Sequence, residues 1–198
     1  MKNLLFIICM LFTLNSLAQV PADSISVSAE QLMERNNRMC GLKFTDAGLV
    51  SEQDPSKGFM VYEVPGLSAS ELKASTLNTI SSLYSSPKDV VTNLSDNMIQ
   101  LEGYVTRAYY SKAGDSLYPV DFSFNITIQF KDGKIRFNIP TIKQIYMTGV
   151  PLLGVAKLDM NKPITVLVND DSNRYQIASK LNDLIEAIGK NAKSANDW

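Results

Sequence analysis

Residues 120–138 read VDFSFNITIQFKDGKIRFN, and the architecture of the chain follows from them. Val120, Phe122, Phe124, Ile126, Ile128 and Phe130 point one way, and Asp121, Ser123, Asn125, Thr127 and Gln129 the other. That period of two marks a strand with one buried face. Asp132-Gly133 is a two-residue hairpin dipeptide, predicted here as a type I′ turn. Such a turn opposes Lys131 to Lys134, Phe130 to Ile135, Gln129 to Arg136, Ile128 to Phe137 and Ile126 to Ile139. Every apolar side chain then meets an apolar one, as a shared buried face requires.

The flanking segments extend the same pattern. On the N-terminal side a short strand over 89–94 turns at Ser95-Asp96-Asn97 into a strand from Met98 to Tyr109. There Ile99, Leu101, Gly103 and Val105 alternate with Gln100, Glu102, Tyr104 and Thr106. Further upstream, Phe59 to Val64 has the composition of a strand and closes at Pro65-Gly66. Ser68-Ala-Ser-Glu71 is a capping box opening a helix whose stripe is Ala69, Leu72, Thr76, Ile80 and Leu83, ending near Ser85-Ser86-Pro87. On the C-terminal side, residues 140–168 are apolar but interrupted by Gly149, Pro151 and Gly154, so Tyr146 to Val155 reads as a loop and Ile164 to Val168 as a further strand. Asp170-Asp171-Ser172 starts a second long helix with the stripe Tyr175, Ala178, Leu181, Leu184, Ile185 and Ile188, ending before Lys190. The predicted fold is α+β: a single antiparallel sheet in the order strand, helix, four or five strands, helix. Both helices lie on its apolar face and the polar face meets water.

The N-terminus carries an address. Met1-Lys2-Asn3 is a basic start, Leu4 to Leu14 is uncharged and apolar, and Ser16-Leu17-Ala18 is a small-x-small cleavage signal before Gln19. The run falls short of the roughly twenty residues that span a bilayer as a helix, and no later segment approaches that length. Residues 1–18 therefore read as a signal peptide, and the mature chain as soluble, without a membrane span, and periplasmic or extracellular. Neither Cys9, inside the apolar run, nor Cys40, after Arg38-Met39, has the context of a lipidation site. Residues 19–58 read as an N-terminal extension with a capping box at Ser28-Ala-Glu-Gln31, a short helix from Ala29 to Met39, and loop with at most a short strand from Lys43 to Gly58. Residues 59–190 form the single domain, and 191–198 a frayed tail.

Composition removes several functions. Cleavage leaves Cys40 as the one cysteine, so the mature chain has no internal disulfide, and Cys40 reads as a small buried hydrophobe. The chain has no histidine, which excludes Ser-His-Asp and Cys-His nucleophile systems, His-ligated zinc and imidazole acid–base chemistry. Without Lys2 the mature chain has 18 basic and 20 acidic side chains, a net charge of −2, with the basic ones scattered. Nucleic acid, which demands a concentrated positive face, is not an expected partner.

The pattern resembles a known family. Phe59-Met-Val-Tyr-Glu-Val-Pro-Gly66 followed by Ser68-Ala-Ser-Glu71, then Ile99-Gln-Leu-Glu-Gly103, then Phe124 to Phe137 around Lys131-Asp-Gly-Lys134, is similar to the secreted Bacteroidota family called domain of unknown function 4468. The resemblance covers roughly residues 59 to 140 and implies a TATA-binding-protein-like fold. It carries no activity and no functional residues, and the DNA binding of the fold's namesake does not follow from the fold.

Three functions fit what is left. The first is a non-catalytic module, without cofactor or metal, that binds a protein, peptide or glycan through the polar sheet face, where Gln100, Tyr104, Asn125, Gln129 and Arg136 are the candidate binding residues. Against it stands an ordinary solvated face, since polar alternation is what half-buried strands show. The second is a carrier of an apolar small molecule between sheet and C-terminal helix, with residues 146–155 as lid; a packed loop explains the same letters. The third is a hydrolase using Glu102 and Asp121 as an acid/base pair, although such carboxylates are usually solubility charges. The cluster Asn169-Asp170-Asp171-Ser172-Asn173 lacks EF-hand spacing and is explained by helix capping. Asp23-Ser24-Ile25 and Asp115-Ser116-Leu117 resemble the acceptor tripeptides of Bacteroidota O-glycosylation and are predicted to lie in loops.

Overall fold

Ser116–Lys131 forms one long strand, and its apolar face is removed from water: Val120, Phe122, Phe124, Ile126, Ile128 and Phe130 are none of them more than 2% exposed. The structure, a computed structural model, describes residues 41–113, 115–150, 154–157 and 171–194. The expected signal peptide, the helix from Ala29 to Met39, Cys40 and the strand from Ile164 to Val168 lie outside the described residues.

Around that strand the element order is β1 (Leu42–Thr45), β2 (Gly48–Ser51), β3 (Phe59–Glu63), α1 (Ala69–Leu83), α2 (Pro87–Val90), β4 (Val91–Ser95), β5 (Met98–Ala113), β6 (Ser116–Lys131), β7 (Lys134–Asn138), β8 (Thr141–Val150), β9 (Gly154–Lys157) and α3 (Asp171–Ser194). Strands β3-β7-β6-β5-β4 are hydrogen-bonded in that order, and β8 joins β6 and carries β9, giving seven strands in one antiparallel sheet. The pair β1–β2 makes a separate hairpin where loop with at most a short strand was expected. The fold is thus α+β, with α1 and α3 packed on each other and on the apolar face of the main sheet.

The hairpin register holds for four of the five expected pairs, from Lys131 opposite Lys134 to Ile128 opposite Phe137. The turn is not type I′, which needs positive φ at both central residues. Gly133 has φ of 74°, whereas Asp132 stays outside the left-handed region. Tertiary bonds account for the difference. The Asp132 carboxylate accepts from the Ala69 N–H at 2.9 Å, Gly133 N–H donates to the Leu67 carbonyl at 2.8 Å, and the Gly133 carbonyl accepts from Val64 at 2.8 Å. The turn is stitched between the end of β3 and the first turn of α1.

The fifth pair, Ile126 with Ile139, does not form. Ile139 N–H donates instead to the Gly58 carbonyl, Pro140 has no N–H to give, and β8 takes over the edge of β6 with Asn125 opposite Thr141 and Asp121 opposite Tyr146. β8 then pairs with β9, Tyr146 opposite Lys157. Of the segment expected as an irregular lid, the described residues 146–150 and 154–155 are therefore paired antiparallel strand; Gly149 falls where the β8–β9 register shifts, between Thr148 and Val150.

Helix α1 has the predicted capping box: Glu71 N–H donates to the Ser68 hydroxyl and Ser68 N–H to the Glu71 carboxylate. Hydrogen bonds from Ser68 hold the Glu71 carboxyl below the usual carboxylate range. Leu72, Thr76 and Ile80 are buried as expected, but Leu83, in the last turn, is 52% exposed. Helix α3 runs to Ser194 rather than ending before Lys190, and Ala192 within that added turn is fully buried. Two glycines mark close approaches. A Cβ on Gly103 would collide with the ring of its cross-strand partner Phe124, and one on Gly189 with Tyr62. The β1–β2 hairpin is held by Asn182 of α3, whose carbonyl accepts from Leu42 N–H at 2.7 Å and whose amide donates to the Leu42 carbonyl at 3.1 Å.

Two outcomes test this arrangement. Phe124→Asp places an unpaired charge in the core and costs at least the ~3–5 kcal/mol of a buried phenylalanine truncation, whereas Asn125→Asp, one residue along and on the other face, leaves the protein folded; urea titration of both variants separates the faces. Asn182→Ala leaves the Leu42 N–H and C=O without partners and lowers stability by about 1–3 kcal/mol, with hydrogen exchange accelerating at Leu42 before it does in β6.

Candidate functional site

The outward positions of six strands line up in rows across the sheet. Val61, Arg136, Gln129 and Met98 form one row, each opposite the next on β3, β7, β6 and β5. Gln100 stands between Thr92 and Thr127, Asn125 between Glu102 and Thr141, and Ser123 between Tyr104 and Gln144. All five candidate residues, Gln100, Tyr104, Asn125, Gln129 and Arg136, thus lie on the outer face. They make a strip and not one pocket: the Gln129 row and the Ser123 row are six residues apart on β6, about 20 Å.

At the Arg136 end the polar groups are half-buried. The Arg136 guanidinium lies 3.9 Å from the centroid of the Phe59 ring, a cation–π contact. Its Nε is buried without a hydrogen-bond partner, as are Oδ1 of Asn138 and Oδ1 of Asn125. The Gln129 amide reaches the sulfur of Met98 at 3.8 Å, a weak acceptor, and Gln100 donates to Glu102 at 2.9 Å.

At the Tyr104 end β5 departs from regular pairing. Val105 opposes Phe122 and Tyr109 opposes Val120, so two extra residues are accommodated in β5. Strict alternation would carry Arg107 into the core. Instead it is expelled, exposed, with φ of 50°, and among the described residues it is the one non-glycine with positive φ. Asp121 pins the bulge: one carboxylate oxygen accepts from Arg107 N–H at 2.7 Å and the other from the Tyr104 hydroxyl at 2.9 Å. Loss of water and the Asp121 carboxylate it donates to push the Tyr104 phenol up to about 12. Burial alone pushes Tyr109, inside the core, to about 12 as well. Across Ser123, the Tyr146 ring stands 5.7 Å from that of Tyr104 at 53°, and the Tyr146 hydroxyl donates to Gln144. β8 has its own irregularity here, between Ile142 and Gln144, which leaves Lys143 exposed.

Glu102 and Asp121 are not brought together as an acid/base pair. Glu102 opposes Asn125, four residues from Asp121 on β6, so the two positions are about 13 Å apart along the sheet. Glycosidase carboxyls stand about 5–9.5 Å apart. Asp121 is moreover occupied by the bulge. No group of three or more metal-ligating side chains occurs among the described residues. Between sheet and α3, where an apolar ligand was considered, Ile177, Leu181, Ile185 and Ile188 pack at no more than 1% exposure. Ser116 and Leu117 are exposed at the start of β6; Ser24 lies outside the described residues, as do Asn169 and Asp170. No helix among the described residues is long and apolar enough to cross a membrane.

Sequence reasoning missed Tyr146, Gln144 and Asn138, which reach this face because β7 and β8 share one edge of β6. The signal for the bulge was present in Arg107, a charge at an inward position opposite a strand that offers Asp121.

The fold and the site can be set beside known proteins. No family model matches the chain, and no curated protein does. Among solved structures, the chain is similar to a protein of the domain of unknown function 4468 family from Bacteroides ovatus, at 13% identity over 66% of this chain and 84% of that one, with a TM-score of 0.41. It is also similar to a TBP-like protein from Parabacteroides distasonis, at 12% identity over 68% of this chain and 90% of that one, with a TM-score of 0.47.

The Tyr104–Asp121 bond has a spectroscopic consequence. A raised phenol pKa favours the neutral form in the folded state, so its contribution to stability is complete below about pH 10, the unfolded value, and is lost as pH rises towards 12. The tyrosinate absorbance of the wild type minus that of Tyr104→Phe should therefore titrate near 12; a midpoint near 10 would show that Tyr104 is neither shielded from water nor bonded to Asp121 in solution.

Proposed function

We propose that this chain is an exported, non-catalytic binding module that holds a protein, peptide or glycan on the outer face of its main sheet. The observation that carries this reading is the set of buried, unpartnered polar atoms on one strip of that face: Asn125 Oδ1, Asn138 Oδ1 and Arg136 Nε. Leaving such a group unpaired costs about 1–3 kcal/mol, and rotation of the half-buried Asn125 and Asn138 amides towards donors of a partner offsets part of that cost. Arg136 is held by Phe59 and by its neighbours in the row, so a partner meets a side chain that is already ordered. The export signal at residues 1–18 and the scattered charge suit an extracytoplasmic ligand better than a nucleic acid.

The test uses the protein recovered under native conditions from its exporting host, with bound mass read by native mass spectrometry before and after denaturation. The wild type should carry a ligand or partner that denaturation releases. Arg136→Ala combined with Asn125→Ala should lower its occupancy about tenfold, the loss of roughly 1.4 kcal/mol, while Asn78→Ala on the exposed side of α1 changes nothing. Equal occupancy in all three proteins would remove the sheet face from the proposal.

A further inference from the structure

The tyrosine end of the outer face has features that the unpartnered polar strip does not. Tyr104 is 45% exposed and Tyr110 and Leu117 are each 55% exposed, although they stand on a sheet whose other face is almost completely buried. Tyr110 opposes Pro119, two residues from Asp121, while Tyr146 opposes Asp121 itself and Tyr104 opposes Ser123. Three tyrosines therefore flank the β6 segment from Pro119 to Ser123. Tyr104 is fixed by its bond to Asp121, and Tyr146 by its bond to Gln144 and its contact with Tyr104. Bulges in both neighbouring strands, at Arg107 in β5 and Lys143 in β8, bracket this segment, a position where bulges commonly re-aim side chains.

The chemistry of the end is specific. The exposed ring of Tyr104 and the half-buried ring of Tyr146 offer apolar faces, while Asp121, Gln144, Glu102 and Ser123 beside them offer carboxylate, amide and hydroxyl oxygens and an amide donor. A sugar ring has that combination in mirror form, one face of C–H groups and a rim of hydroxyls. The charged residues of this end are Glu102 and Asp121 against Arg107, Lys143 and Lys157, the last opposite Tyr146, so the signs are interspersed and no concentrated field of one sign draws a polyanion or polycation. An extended peptide is captured most often by adding to a free sheet edge; β6 is paired on both edges, to β5 and to β8, and the edge of β5 that β4 leaves uncovered beyond Leu101 lies on the far side of Tyr104 from Tyr146, so the ground between the two tyrosines offers side chains alone.

We propose that Tyr104 and Tyr146, with Asp121, Gln144 and Ser123 beneath and beside them, form a binding site for a neutral glycan chain. This rests on the outer face being the binding surface. Sugar rings pack on the tyrosines through their C–H faces, and their hydroxyls exchange hydrogen bonds with Gln144, Ser123 and Glu102 while Asp121 holds the Tyr104 ring in place.

Affinity electrophoresis of the full chain in gels containing laminarin, galactomannan, xyloglucan or yeast α-mannan tests this, with polygalacturonate as the anionic probe and tryptic peptides of casein as the peptide probe in calorimetry. At least one neutral polysaccharide should retard the wild type. Tyr104→Ala and Tyr146→Ala should each weaken that retardation about tenfold, Tyr104→Phe should retain most of it because the ring face remains, and Leu83→Ala on the helix layer should match the wild type. A single cooperative melt well above the assay temperature and unchanged near-ultraviolet circular dichroism outside the tyrosine bands show that the variants are folded. Absence of retardation by all four neutral polysaccharides, or retardation equal in wild type and Tyr104→Ala, overturns the glycan site. Retardation lost in Arg136→Ala but kept in Tyr104→Ala, or casein-peptide binding abolished by Tyr104→Ala, overturns the glycan site while leaving the outer face as the binding surface. Retardation by polygalacturonate alone overturns the neutrality of the ligand.

Discussion

Six apolar side chains on one face of β6 have to leave water together, and most of the molecule is arranged around that requirement. Each such burial is worth about 1.5–3 kcal/mol, and a strand cannot achieve it alone. β5 and β7 extend the apolar surface sideways through Ile99, Leu101, Ile135 and Phe137, and α1 and α3 close it from above with Leu72, Ile80, Ile185 and Ile188. β6 is also longer than β7. The edge that β7 leaves beyond Asn138 is completed by β8, with Pro140 at the point of transfer. That handover is why a segment rich in glycine and proline joins the sheet.

The outer face is a consequence of the inner one. Holding Val120 and Phe122 in the core keeps β5 in register opposite them, and Arg107 would then have to be buried without a counter-ion. Expelling it into a bulge with φ of 50° is less costly than burying a charge. The Asp121 carboxylate takes the bulge's N–H and the Tyr104 hydroxyl together. A conflict between one charged residue and the period of two thereby places an ordered tyrosine beside a carboxylate on the exposed face.

The faces were legible in the letters because alternation in a half-buried strand is set by side-chain solvation one residue at a time. Gln100, Tyr104, Asn125, Gln129 and Arg136 could be placed on the outer face for that reason. Tyr146 and Gln144 could not, because their segment lacks clear alternation and its pairing depends on which edge of β6 remains open. The hairpin's register was legible and its turn type was not. Asp-Gly favours type I′ in isolation, but here Asp132 and Gly133 answer to Ala69 and Leu67, more than sixty residues away in the chain. Asn182 was equally silent: a buried asparagine on a helix stripe gives no sign that it completes the hydrogen bonds of Leu42, and the segment of the β1–β2 hairpin it anchors reads in sequence as loop with at most a short strand.

By itself, the sequence determined the α+β class, the capping box of α1, the two faces of β5 and β6, and the exclusion of histidine chemistry, all of which rest on local periodicity, local hydrogen bonding or composition. Tertiary structure decided the division of the β6 edge between β7 and β8, the geometry of the Asp132–Gly133 turn, the bulge at Arg107 and the meeting of Tyr104 with Tyr146. Each of these depends on which distant backbone groups remain unpaired once the core has closed, and that is a property of the packed chain rather than of any window of residues.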